Sequence, residues 1–217
     1  MSLSLICLHG FTQNGQQLAR QLASIAARLP PEIELIFPDA PHACAPASVS
    51  RLAAMFRMDP PPPPHCCWWD ATDDGSEYRG WEISREQIRA LCERPGRVGL
   101  LGFSQGAILS TALAALHEHA QFPKLELAIL IAGRTPRAKV FAPLLAAALH
   151  LPSLHVWGER DAGAAQACPA LVEAFDARSR QVVTWPGPHT VPERGPAADA
   201  IVAWLTQQLD QSPSDTT

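Results

Sequence analysis

Short, nearly unbroken apolar runs alternate with longer segments of mixed polarity along the whole chain. Leu3 to Leu8 reads as a buried strand. Asn14 to Leu29 carries apolar residues at helical spacing, and Asn14 with Gln17 three positions on resembles a capping box. The alternation continues through Ile33 to Phe37 (strand), Tyr78 to Glu93 (helix), Arg97 to Phe103 (strand), Gln105 to His119 (helix) and Leu127 to Ile131 (strand). Phe141 to His150 (helix), Ser153 to Trp157 (strand), Leu171 to Arg178 (helix), Gln181 to Thr184 (strand) and Pro196 to Leu209 (helix) complete it. Strands that are apolar along their whole length are covered on both faces, and strand–helix–strand succession makes them parallel. The expected fold is α/β: a doubly wound, mostly parallel sheet with helices on both faces and functional groups at the carboxyl ends of the strands.

One stretch breaks the rhythm. Pro38 to Glu77 holds the Pro60 to Pro64 run and Trp68-Trp69, with a short helix expected at Ser48 to Arg57. A structureless linker of about 40 residues is unusual in a compact domain. A lid-like insertion over the strand ends, at about 42–77, is therefore expected. Residues 1–210 read as one domain, and the polar residues 211–217 as a frayed tail.

Composition removes several classes of function. The chain has 217 residues, 47% of them apolar, and a formal net charge of -4. That length buries roughly 70% of the unfolded surface. The 17 basic residues are scattered, and lysine occurs only at Lys124 and Lys139, so no basic face for nucleic acid is expected. No apolar run reaches the roughly 18 residues of a membrane span, and the first residues lack the basic start of a signal peptide. Six cysteines without paired spacing fit reduced thiols in a cytoplasm. His42, Cys44, His65, Cys66 and Cys67 are metal-ligand types, but their spacing is not that of a structural zinc site. No metal and no organic cofactor is expected.

The chemistry concentrates in Gly102-Phe103-Ser104-Gln105-Gly106, flanked by a predicted strand and a predicted helix. In that setting the serine occupies a tight turn that lifts its hydroxyl above the sheet, and flanking glycines keep the turn free of collisions. A serine nucleophile needs a base, and the base needs an acid to orient it. With this elbow the acid and histidine follow the serine in that order. Asp161, in the loop after Ser153 to Trp157, is the expected acid. Glu159 is close to the strand and Asp176 lies on a predicted helix. His189, in the loop after the next strand, is the expected base, since the only other histidine in a strand-end loop, His9, precedes the serine. His9-Gly10-Phe11 supplies an oxyanion donor, the Phe11 N–H, alongside that of Gln105. Trp68, Trp69, Trp81, Met55, Phe56 and Thr190 are expected around an apolar acyl pocket, with the aromatic rings alternatively fastening the insertion to the body. Asp70, Asp73, Asp74 and Glu77, if they faced that pocket, would disfavour acyl chains bearing a carboxylate.

These segments together resemble the α/β-hydrolase superfamily and, within it, the family of serine hydrolases that holds the ovarian cancer gene 2 product and fungal relatives. The resemblance runs over nearly the whole chain: LICLHGFTQNG, FPDAPH, WWDATDDGSEYRGWEIS, LLGFSQGA, LPSLHVWGERD and GPHTVP. It implies a carboxylesterase with Ser104, Asp161 and His189 as its triad and a small acyl ester as substrate, or alternatively an acyl thioesterase. The triad also serves peptidases and carbon–carbon bond hydrolases, and a binding module on the same fold is the non-enzymatic alternative. Pro188 before the histidine, Ala162-Gly163-Ala164 after the aspartate, the proline run and Cys66-Cys67 depart from the family pattern. The alanine–glycine stretch is expected to widen the site locally.

Overall fold

The structure, a computed structural model, describes residues 2–56 and 59–210. The expected tail 211–217 and the last residue of the expected Ser48 to Arg57 helix lie outside the described residues.

Six strands form one sheet in the order β10-β9-β8-β7-β1-β2, and every pairing in it is parallel. They are β1 (Leu3–Leu8), β2 (Ile33–Ile36), β7 (Arg97–Phe103), β8 (Leu127–Ile131), β9 (Ser153–Gly158) and β10 (Arg180–Trp185). The long helices are α1 (Gly15–Ala26), α3 (Trp81–Cys92), α4 (Gln105–Glu118), α5 (Ala162–Glu173) and α6 (Pro196–Asp210). Alternate side chains of each strand serve two cores. Leu3, Leu5 and Cys7 of β1 pack with Leu18, Leu22 and Ile25 of α1 and with Ile201, Trp204 and Leu205 of α6. Ile6 and Leu8 pack on the other side with Ile88 of α3 and the small, buried residues of α4. This two-sided burial is why the strands read as continuous apolar runs.

Strand order reverses between β1 and β7, with Leu8 opposite Gly102. The loops leaving these strands therefore sit side by side at the carboxyl edge, where open α/β sheets place ligands.

Three helices differ from expectation. Phe141 to His150 is not a helix: two short 3-10 turns, Lys139–Phe141 and Pro143–Leu145, are followed by Leu149 bridging to Phe175. The helix expected at Leu171 to Arg178 instead starts at Ala162, where the Asp161 side chain caps it, and runs through Pro169 to Glu173. Tyr78 does not open a helix. Tyr78–Arg79 (β6) pairs with Asp70–Ala71 (β5), and α3 begins after Gly80.

The rest of the insertion holds α2 (Pro46–Phe56) and a hairpin of β3 (His42–Ala43) with β4 (Cys66–Cys67). It is tied to the body by backbone bonds from Thr12 N–H to Cys66 O and from Cys66 N–H to Gln13 O, both 3.0 Å. Asn14 Nδ2 also donates to Pro64 O at 2.9 Å.

Candidate functional site

Ser104 joins β7 to α4 with φ 53° and ψ -113°. Positive φ is uncommon for a residue with a Cβ and stores about 1–3 kcal/mol of strain. The surroundings impose it. Ser104 N–H donates to Ile131 O at 2.8 Å, while its carbonyl accepts from the Ala107 and Ile108 N–H groups of the helix. A side chain at position 106 would run into the carbonyls of Leu8 and His9, and one at 102 into the backbone of Gly106 and Ala107. Both glycines are thus required by close approach of backbone.

His189 links two partners. Its Nε2 lies 3.1 Å from Ser104 Oγ and its Nδ1 bonds to Asp161 Oδ2. A carboxylate can only accept, so Nδ1 carries the proton and Nε2 is left to accept from the serine hydroxyl. Asp161 is buried; its second oxygen, Oδ1, accepts from Ala164 N–H at 3.0 Å. Burial by itself pushes the Asp161 carboxyl up, but the bonds from His189 and Ala164 outweigh it and hold the group below the usual carboxylate range.

Phe11 and Gln105 line the cleft beside Ser104. Gln105 opens α4, where the first N–H groups of a helix have no partner within it. Phe11 lies within a tight turn in which Gln13 N–H donates to Gly10 O and Gly10 N–H to Gln13 Oε1. Buried His9 fixes the base of that turn. Its Nε2 accepts from Ala40 N–H at 3.0 Å, so Nδ1 carries the hydrogen given to Gly10 O. Burial lowers the His9 pKa, in keeping with this neutral ring.

The expected pocket residues separate into two groups. Met55, Phe56 and Trp69 line a cleft of about 710 Å³, and Thr190 lines a neighbouring compartment of about 120 Å³. Phe56 stacks on the His189 ring at 4.7 Å. Trp68 and Trp81 line neither cavity. Trp68 is fully buried, its Nε1 donating to His9 O at 2.8 Å, and Trp81 packs edge-on against Phe141 beneath the Arg85 guanidinium. Trp68 thus ties residues 42–77 to the strand-end loop of β1, whereas Trp81, on α3, packs within the core. Gln105 completes the attachment: its Oε1 accepts from Trp68 N–H at 2.9 Å and its Nε2 donates to Trp69 O at 3.0 Å. Ala162, Gly163, Ala164 and Pro188, the departures near the acid and base, all border the larger cleft.

The acidic run does not face the site. Asp74 accepts from Thr72 Oγ1 and from the N–H and hydroxyl of Ser76, which hold its carboxyl down to about 2. What the sequence reading missed is Arg134, Arg137 and Arg160 in the cleft wall. Each follows the carboxyl end of a strand, which is the one signal that could have singled them out. Of the metal-ligand types, His42 Nε2 donates to Gly80 O and His65 Nδ1 to Thr12 O. Among the described residues no three His, Cys, Asp or Glu side chains gather as metal ligands would.

A family profile described as Serine hydrolase (FSH1) matches residues 1–201. The chain belongs to this serine hydrolase family. Among curated relatives of the family, an esterase of Danio rerio, OVCA2, is 31% identical, over 88% of this chain and 90% of that one. An esterase of Anopheles gambiae is 29% identical over 96% of this chain and 79% of that one. The fold is that of solved α/β hydrolases. Acyl-protein thioesterase 2 of Zea mays superposes with a TM-score of 0.67 at 24% identity, covering 96% of this chain and 94% of that one. A Mesorhizobium loti carboxylesterase gives 0.65 at 19%, covering 94% and 88%. This chain carries its nucleophile candidate, Ser104, on a strand–turn–helix elbow.

Proposed function

We propose that the protein is a carboxylesterase-type serine hydrolase that cleaves small acyl esters through an acyl-enzyme, acting as one domain over residues 1–210. The observation that carries this reading is the continuous line from Ser104 Oγ through the His189 ring to the Asp161 carboxylate. In the first half-reaction His189 Nε2 takes the hydroxyl proton as Oγ attacks the ester carbonyl. The N–H groups of Phe11 and Gln105 receive the oxyanion, and the imidazolium, stabilised by Asp161, gives its proton to the departing alcohol. Water then repeats the sequence against the acyl-enzyme and releases the acid. Acyl thioesters are the second substrate class, since a thiolate leaves by the same steps. The esterase names of the relatives support the ester reading.

No described helix is long and apolar enough to cross a membrane. All six cysteines are free, which supports the reducing cytoplasm as the site of action.

The test is labelling by a fluorophosphonate probe together with turnover of a neutral short-chain ester. Wild type is expected to be labelled at Ser104. Ser104→Ala should lose labelling and at least about 10³-fold in kcat/KM, and His189→Ala should fall comparably. Undiminished turnover by Ser104→Ala removes the reading.

A further inference from the structure

Most described arginines outside the cleft pair with carboxylates, among them Arg28 with Asp199, Arg94 with Glu34, Arg97 with Glu126 and Arg180 with Glu173. Arg134, Arg137 and Arg160 are different. Among the described residues none of them has a carboxylate within 4.0 Å, and all three line the 710 Å³ cleft. They arrive on neighbouring loops, Arg134 and Arg137 after β8 and Arg160 after β9. Asp161 is the only acidic residue described in the same wall, and its charge faces His189.

Two of the three are held in place by their own backbones. Arg137 N–H donates to Tyr78 Oη at 2.8 Å, and Tyr78 stacks on Trp69 at 4.5 Å. The Arg137 guanidinium lies over Gly75, in space that any side chain there would occupy; Gly75 also has φ 68°. Arg160 N–H donates to Gly187 O at 2.9 Å, next to the loop that carries His189. The guanidinium groups themselves are exposed and always charged. Across Ser104 the 120 Å³ compartment is walled by Phe11, Ala53, Phe103 and Pro61, and among the described residues no Asp, Glu, Lys or Arg borders it. The two arms of an ester seated at Ser104 therefore meet unlike surroundings, one apolar and the other cationic.

We propose that the large cleft selects esters or thioesters whose arm within it carries a carboxylate or phosphate, bound by Arg134, Arg137 and Arg160, while the uncharged arm fills the small compartment. This rests on the esterase reading above and adds the charge of the substrate to it. It also reverses the preference expected had the acidic run faced the site. Guanidinium groups meet carboxylates and phosphates through paired hydrogen bonds, and a partly enclosed cleft strengthens them by focusing the field.

The test uses two matched substrate pairs. The p-nitrophenyl half-ester of adipic acid is compared with its neutral methyl ester, which places the charge on the acyl arm. Hexanoyl-coenzyme A is compared with hexanoyl-N-acetylcysteamine, which places it on the leaving arm. At low ionic strength the anionic member of at least one pair is expected to have a kcat/KM about five- to thirtyfold higher, shrinking at about 0.5 M salt. The pair that responds identifies the arm. In R134E/R137E the ratio should fall to one or below; R134A and R160Q singly give the same direction if the double variant does not fold. Equal rates in both wild-type pairs, or a ratio untouched by charge reversal, overturn the proposal. If neutral esters are turned over and Ser104 is labelled while the ratio is one, only the charge inference fails. If there is neither labelling nor turnover, the esterase reading fails, and calorimetric titration of adipate and of coenzyme A into wild type and R134E/R137E still reads the arginines directly.

Discussion

Asp161 performs two tasks with its two oxygens: Oδ2 meets His189 and Oδ1 caps α5 through Ala164 N–H. The tasks can be separated. Asparagine caps a helix as well as aspartate does but presents no anion, so Asp161→Asn should keep the melting temperature near that of wild type while kcat falls about 10³- to 10⁴-fold. Asp161→Ala should lose a similar amount of activity and about 1 kcal/mol of stability besides, read from denaturant unfolding. At this scale the sequence was informative wherever function depends on a local turn. Ser104 and Asp161 each follow a strand visible as an apolar run, and His189 follows the shorter Val182-Val183 signal of the edge strand, so their positions at the sheet edge could be read. Arg134, Arg137 and Arg160 share a cleft only because β8 and β9 are neighbours, and no spacing along the chain records that.

Among the elements, the Gln105 side chain latches the 42–77 segment to the helix that begins beside Ser104. Gln105→Leu leaves Trp68 N–H and Trp69 C=O without their partner in a buried setting, at about 1–3 kcal/mol for each group. The expected outcome is a lower denaturant midpoint, with the backbone N–H of residue 105 still in place for catalysis. Turnover that falls far more than stability would show that the latch also sets the cleft wall. The central strands β1, β7, β8 and β9 were legible because burial on both faces leaves a short apolar run. The helix after Asp161 was not, because Ala162 to Ala167 is rich in small residues without a polar stripe, and Pro169 looks like a barrier although α5 passes through it. Phe141 to His150 misled in the opposite sense. Its apolar spacing suits a helix, but the chain there forms two tight turns and then pairs Leu149 with Phe175.

For the molecule as a whole, acid sensitivity is written into the core. His155 in β9 is buried against Phe175; its Nε2 lies 3.1 Å from Ser153 Oγ, and Nδ1 has no partner among the described residues. Burial first, then the Arg180 charge, lowers its pKa to about 4. The folded state thus holds the neutral ring while the unfolded chain takes up a proton from about pH 6.5 downward. No stability is lost above that value, and a loss approaching about 3 kcal/mol accumulates between pH 6.5 and 4. Ser153→Ala with His155→Phe, which removes both polar partners, should flatten that part of the stability–pH curve, as thermal melts at successive pH values would show. The parallel topology was readable in advance, whereas the docking of residues 42–77 depends on long-range bonds such as Trp68 Nε1 to His9 O that leave no periodic trace. That docking divides the cleft wall between two parts of the chain. The strand-end loops carry Ser104, Asp161 and His189, while Leu52, Met55, Phe56 and Trp69 arrive on a separately fastened segment. Substitutions of Leu52 or Met55 would therefore reshape the cleft wall without touching the loops that hold Ser104, Asp161 and His189.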